Sequence, residues 1–111
     1  MRSEQTRSFR NDPVIIALKD RLDRLYGDRL VRVLLFGSRA RGGARPDSDY
    51  DVAVILKDYR GTREEAHRLG DLSWEVQMET DAVVSIKPFA PGDLEKRTLF
   101  MHNLRREGIS V

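Results

Sequence analysis

The stretch of sequence that decides the fold is residues 31–57, VRVLLFGSRARGGARPDSDYDVAVILK. It begins with a short apolar run, 31–36, which is rich in strand formers and is ended by Gly37. A loop rich in glycine and arginine follows over 37–48, with room for a short helical turn, and residues 50–57 alternate as a second strand does. If the two strands pair antiparallel, the end of the first lies beside the start of the second.

The flanking sequence predicts three helices and a third strand. Asp12-Pro13 is typical of a helix start, since Asp caps the first turn and Pro fits the first helical position. The other expected elements are a helix from a Thr62-x-x-Glu65 capping box to about Met78, a strand over 82–87 stopped by Pro88, and a helix opened by Pro91-Gly92-Asp93 and closed by Gly108. Trp74 and Met78 are expected in the core.

The resulting order, α-β-β-α-β-α, predicts a small mixed β-sheet flanked by helices, an α/β (α+β) fold. The third strand follows a crossover helix and should therefore run parallel to the second. With 111 residues the chain fits one domain. We expect residues 1–10 to be a flexible leader and residues 11–111 to form a single domain.

Composition narrows the class of protein. The sequence has no apolar run long enough to cross a membrane and no secretory signal at its start. It contains no cysteine, which excludes disulfides and thiolate metal sites and fits a cytoplasmic protein. The net charge of +2 is too small to indicate nucleic-acid binding, so a nucleic-acid partner is not expected.

Two carboxylates mark the start of the second strand. Asp49 and Asp51 are two residues apart, so both side chains leave the same face, with Cβ atoms roughly 7 Å apart. Asp81 precedes the third strand, and the parallel pairing would bring it to the same edge. Three carboxylates without a counter-charge repel one another, and all-oxygen ligands favour Mg²⁺ or Mn²⁺, with two ions expected.

The loop after the first strand has the composition of a phosphate site. Glycine at Gly37 lets a triphosphate approach the backbone, and Ser38 supplies a hydroxyl. Arg39 and Arg41 lie in the same loop, as does Arg45, and could neutralise phosphate charge. Together with the carboxylates, these residues indicate phosphoryl or nucleotidyl transfer.

Gly37-Ser38, ten further residues and then Asp49-Tyr50-Asp51 resemble the signature of the DNA polymerase β-like nucleotidyltransferase superfamily. The segment FGSRARGGARPDSDYDVAV, residues 36–54, is similar to the minimal nucleotidyltransferase branch of that superfamily, the MntA-like antitoxins of HEPN/MNT toxin–antitoxin systems. The resemblance spans about residues 31–87. It implies a polymerase β palm-like fold, nucleotide phosphate on Gly37 and Ser38, and metal on Asp49, Asp51 and Asp81.

The same resemblance implies a reaction, the transfer of AMP from ATP to a tyrosine hydroxyl of a cognate HEPN-domain toxin, so that the protein is an antitoxin. Two alternatives stay open from the sequence. The chain could neutralise its toxin by binding alone, or it could transfer a nucleotide to a small molecule or a nucleic acid. An exposed active edge also favours association, either with a second copy or with another protein.

Overall fold

The computed structural model describes residues 9–111. Its elements in chain order are helix α1 (Pro13–Tyr26), strand β1 (Leu30–Phe36), a short helix α2 (Ser38–Arg41), β2 (Tyr50–Leu56), α3 (Arg63–Thr80), β3 (Val84–Phe89), α4 (Leu99–Glu107) and β4 (Ile109–Ser110). Two 3₁₀ turns, Gly27–Arg29 and Pro91–Glu95, join neighbouring elements. The predicted flexible leader lies outside the described residues except for Phe9 and Arg10, and Phe9 packs against the core.

The four strands form one mixed sheet in the order β3-β2-β1-β4. Strand β1 pairs antiparallel with β2 and with β4, and β2 pairs parallel with β3. The predicted fold class and both predicted pairings are confirmed. The sequence analysis missed β4, because two residues after a helix-ending glycine are too few to leave a strand pattern.

One face of the sheet is covered by α1 and α3. Helix α1 begins as predicted, because the Asp12 side chain accepts a hydrogen bond of 2.8 Å from the Val14 N–H. The buried side chains of both helices pack on alternate residues of the strands, among them Leu18, Leu22, Leu72, Val76, Val52 and Val54. This larger core fixes which face of β2 points towards α1 and α3. The odd-numbered residues of β2 therefore lie on the other face.

A buried carboxylate ties α1 to α3 within this layer. Glu65 accepts hydrogen bonds of 3.0 Å from the Tyr26 hydroxyl and from the Arg29 guanidinium. The predicted capping box is therefore only half formed: the Thr62 hydroxyl accepts from the Glu65 N–H, while the Glu65 side chain turns inward. Trp74 and Met78 lie on the opposite side of α3 and are exposed, so their predicted place in the core is wrong.

The second face of the sheet is only partly covered, by α4. Leu34 and Ala53 pack against Met101 and Leu104, and Phe100 fills the space beside them. The predicted start of this helix at Pro91 is wrong, because Pro91–Glu95 form a 3₁₀ turn and the Thr98 hydroxyl caps a new helix beginning at Leu99. On this face of β3, Ser85 is half-buried and Lys87 is exposed, so part of the face stays open.

Strand β3 lies at the edge of the sheet, and its bounds differ from the predicted 82–87. It begins at Val84 and continues through Pro88 to Phe89. Proline is tolerated there because an edge residue can point its missing N–H away from the sheet. The Ser73 hydroxyl donates to the Val84 carbonyl at 2.6 Å, which attaches the edge strand to α3. Within residues 9–111, no helix combines the length and apolar character needed to span a membrane.

Candidate active site

Gly37 and Asp51 are in direct contact at the end of the β1–β2 pair. The register places Phe36 opposite Asp51, so the next residue along, Gly37, lies against the acidic side chain. A Cβ atom on Gly37 would lie 2.3 Å from Asp51 Oδ2, closer than any real contact of this type. Gly37 also has φ 75° and ψ −156°, a region that only glycine occupies without strain. A side chain at this position would therefore both strain the backbone and displace the carboxylate.

The charge of Asp49 acts on the carboxylate of Asp51. Asp51 is partly buried beside Ala53, on the face covered by α4, and Asp49 is exposed immediately before β2. Burial raises the pKa of Asp51, and the Asp49 charge raises it further, while Lys87 and Arg41 lower it. A carboxylate held in this environment gains from a bound cation, since the cation offsets both desolvation and repulsion.

Lys87 is a candidate site residue that the sequence pattern did not single out. The β2–β3 register pairs Asp51 with Ser85 and Ala53 with Lys87, so Lys87 shares the open face with the acidic pair. Its side chain is exposed, and its charge acts on Asp51. A lysine within an otherwise uncharged strand, VSIKPF, was the available signal, and only the register shows which face it takes.

Arg39 holds the loop rather than facing the acidic pair. Its guanidinium donates to the Ser48 carbonyl at 2.8 Å and to the Pro46 carbonyl at 3.1 Å. The same group stacks on the Tyr50 ring, 3.9 Å from its centroid. The Tyr50 hydroxyl in turn donates to Asp12 at 2.7 Å. Arg39 therefore positions the segment that leads into Asp49, and its predicted phosphate contact stays a prediction.

Arg41 is the arginine that points towards the site. It lies at the end of α2, its side chain is 57% exposed, and its charge lowers the pKa of Asp51. Its Nη1 atom is 3.7 Å from Glu107 Oε2 on α4. Ser38, at the start of α2, is partly exposed beside Gly37. Gly37, Ser38 and Arg41 thus border the acidic pair on one side, as the sequence predicts, and their phosphate role stays a prediction.

Asp81 does not join the other two carboxylates. It caps the C-terminus of α3 with a left-handed φ of 63°, and its N–H donates to the Gln77 carbonyl at 2.8 Å. Together with Asp47 it lines a cavity of about 490 Å³. Neither Asp49 nor Asp51 is part of the lining of that cavity. The predicted convergence of three carboxylates is corrected, because β3 starts three residues after Asp81. A metal role for Asp81 stays a prediction.

The acidic pair nevertheless has the donor set that a magnesium site requires. Among residues 9–111 no group of three His, Cys, Asp or Glu side chains is arranged to hold a metal ion. Mg²⁺ is commonly held by one or two carboxylates together with substrate phosphates, so a third protein ligand is not needed. Asp49 and Asp51 are oxygen donors close enough for the Asp49 charge to act on Asp51, and they fit that arrangement.

Comparison with known proteins agrees with this geometry. Residues 15–102 match the family of nucleotidyltransferase domains. The chain belongs to the nucleotidyltransferase family. One relative is the candidate protein adenylyltransferase MJ0141 of Methanocaldococcus jannaschii, 31% identical over 72 residues, which are 65% of this chain and 72% of that protein. A second, the candidate protein adenylyltransferase MJ1305 of the same organism, is 43% identical over 44 residues, which are 40% of this chain and 30% of that protein.

Solved structures of toxin–antitoxin pairs share the fold. A toxin–antitoxin structure with AMP-PNP superposes with a TM-score of 0.61 at 22% identity, covering 90% of this chain and 71% of that one. A mutant of the toxin–antitoxin MntA-HpeT, with two aspartates two positions apart changed to glutamate, gives 0.60 at 18% identity over 83% and 68% of the chains. These TM-scores show that the chains share a fold.

Proposed function

We propose that this nucleotidyltransferase transfers AMP from ATP, with Mg²⁺, to a tyrosine hydroxyl of a HEPN-domain toxin, and so acts as an antitoxin. The observation that carries the proposal is the packing of Gly37 against Asp51, whose carboxylate also feels the charge of Asp49. The glycine backbone, which has no side chain, then lies next to two carboxylates. A triphosphate bound through a metal ion requires such a neighbourhood.

The proposed reaction is a substitution at the α-phosphorus. The tyrosine oxygen forms a bond to the α-phosphorus, the bond from that phosphorus to the α–β bridging oxygen breaks, and pyrophosphate leaves with that electron pair. The phenolic proton passes to water at the exposed end of the site, where Asp49 lies. The products are an AMP-tyrosine phosphodiester and pyrophosphate, so the step needs no oxidant, reductant or further reactant.

Each residue near the pair has a proposed task. Asp49 and Asp51 would hold Mg²⁺, which supplies polarisation of the α-phosphate and charge for the leaving pyrophosphate. Gly37 and Ser38 would take phosphate oxygens through the backbone and the hydroxyl. Arg41 would balance phosphate charge, since it is exposed and borders the pair.

Lys87 would add a second positive charge from β3, on the opposite side of the pair from Arg41. A triphosphate carries more negative charge than one arginine and the metal can offset, so a second cation improves its binding. This charge balance supports a nucleoside triphosphate as the substrate of the site.

The names of similar proteins support the proposed nucleotide donor and a toxin as the partner. Protein adenylyltransferase is the activity in the names of both archaeal relatives, and AMP-PNP and a toxin–antitoxin pair are named in the structure with the TM-score of 0.61. A HEPN-domain toxin as the acceptor protein comes from the sequence resemblance. A cytoplasmic location, where ATP and such a toxin are both present, belongs to the same proposal.

Mass spectrometry of the acceptor protein tests this proposal. The chain is incubated with ATP, Mg²⁺ and a HEPN-domain protein encoded beside it in the genome, where one is found, with a parallel sample containing EDTA. We expect an AMP adduct on a tyrosine of the HEPN protein, absent with EDTA. An unmodified HEPN protein in a tight complex would instead indicate neutralisation by occlusion. Modification of an added small molecule or nucleic acid, with the HEPN protein untouched, would also overturn the proposed acceptor.

A further inference from the structure

A small cavity adjoins the candidate active site on the side of α4. It has a volume of about 220 Å³ and shares Gly37 and Arg41 with that site. The rest of its lining comes from the end of β1 and from α4, chiefly Phe36, Phe100, Asn103 and Glu107. At about 30 Å³ per water molecule, it has room for about seven waters, roughly the volume of a nucleoside and too little for a whole nucleotide.

The walls of this cavity combine a fixed aromatic side with a polar rim. The Phe36 and Phe100 rings meet edge to face, with centroids 5.4 Å apart, and Phe89 supports Phe100 from behind at 5.6 Å. Asn103 stands on the exposed side of α4, and Glu107 is one turn further along the same helix. An apolar wall with a few convergent polar groups is the usual composition of a small-molecule site.

We propose that this cavity binds the nucleoside part of the triphosphate, with the Asn103 amide on the edge of the adenine base and the Glu107 carboxylate on the ribose hydroxyls. An asparagine amide carries a donor and an acceptor side by side, which matches the adjacent donor and acceptor of adenine. A carboxylate is a common acceptor for a ribose hydroxyl. The proposal rests on the proposed function, because it assumes a triphosphate at Gly37.

The position of the cavity favours the nucleoside over the acceptor tyrosine as its occupant. The ribose is bonded directly to the α-phosphate, so sugar and base must lie within a few bonds of the phosphate site. The cavity meets that condition, since Gly37 and Arg41 belong to both. Arg41 can then keep its contact with Glu107, 3.7 Å away, while it balances phosphate charge.

Binding of two ligands that differ only in the nucleoside tests the proposal. Dissociation constants are measured with Mg²⁺ for ATP and for inorganic tripolyphosphate, on the unchanged protein, Asn103→Leu and the control His102→Leu. His102 neighbours Asn103 on α4, is similarly exposed and lies outside the cavity lining. Thermal unfolding of each variant checks the fold.

We expect ATP to bind more tightly than tripolyphosphate, and Asn103→Leu to weaken ATP about tenfold, the effect of losing two neutral hydrogen bonds. Tripolyphosphate binding and the His102→Leu variant should match the unchanged protein. Equal affinity for the two ligands, or an Asn103→Leu variant that binds ATP normally, would overturn the nucleoside site and leave the proposed function standing. Failure of both ligands to bind the unchanged protein would overturn the two proposals together.

Discussion

Gly37→Ala is the substitution whose consequence follows most directly from the structure. The new Cβ would lie 2.3 Å from Asp51 Oδ2, so the carboxylate must move by about 1 Å to reach van der Waals contact. The backbone conformation at Gly37, φ 75° and ψ −156°, costs a residue with a side chain about 1–3 kcal/mol. We therefore expect a less stable protein whose metal-binding carboxylate is displaced.

Two other glycines of the same loop separate these effects. Gly42 has φ 87° but open space around its Cβ position, so Gly42→Ala should cost about 1–2 kcal/mol of stability without moving Asp51. Gly43 has open space and no positive φ, so Gly43→Ala should change stability by less than about 0.5 kcal/mol. Gly37→Ala therefore combines backbone strain with a clash, Gly42→Ala has strain alone, and Gly43→Ala has neither.

The assay is thermal unfolding followed by the rate of nucleotidyl transfer. For a domain of this size we expect the melting temperature to fall by about 4 °C for each kcal/mol. Displacement of a catalytic group by about 1 Å can cost about 100-fold in rate, and we expect that loss for Gly37→Ala alone. If Gly37→Ala keeps the transfer rate of Gly43→Ala, the contact between Gly37 and Asp51 has no role in the reaction and the reasoning is refuted.

Three further predictions concern single side chains. Burial raises the pKa of Asp51 above 3.8, so the folded state keeps a proton that the unfolded chain loses, and the free energy of unfolding falls as pH rises from 3.8 through the raised value. Asp51→Asn should therefore abolish transfer and be more stable than the unchanged protein at about pH 7 but not at about pH 3.5. A variant that is less stable in urea at about pH 7 would contradict this. Arg39→Lys should lower stability by about 1–2 kcal/mol, because lysine cannot make the bidentate contact with Ser48, and unchanged urea unfolding would exclude its role in holding the loop. Tyr26→Phe should cost about 1–3 kcal/mol, because the buried Glu65 loses a hydrogen bond, and transfer by the folded variant should be unchanged.

Local sequence predicted the part of the site that is built from one hairpin. Gly37 and Asp51 are brought together by the antiparallel pairing of two strands with clear patterns, so spacing alone was sufficient. Asp81 was misplaced because its position depends on where α3 ends, and helix ends are not fixed by an apolar pattern. Lys87 was missed because the face it takes depends on the register between two strands separated by a helix.

The outer surface of α3 shows a second limit of sequence reasoning. Trp74 and Met78 are large and apolar, yet they lie opposite the buried stripe of Leu69, Leu72 and Val76. Helical spacing gives the relative orientation of residues, and the side of the helix that faces the sheet is decided by the whole stripe. Size and hydrophobicity of one residue were therefore a poor guide to its burial.

Asp49 and Asp51 beside Gly37 form the proposed centre of nucleotidyl transfer. Its most direct test is transfer of the labelled α-phosphate from each of the four triphosphates to the HEPN protein, with Mg²⁺, by the unchanged chain, Asp49→Asn and the control Asp47→Asn. Asp47 is an equally exposed aspartate two residues earlier in the same loop. We predict label from ATP with the unchanged chain and Asp47→Asn, and none with Asp49→Asn. Label that persists in Asp49→Asn, or its absence with every triphosphate in the unchanged chain, would contradict the claim.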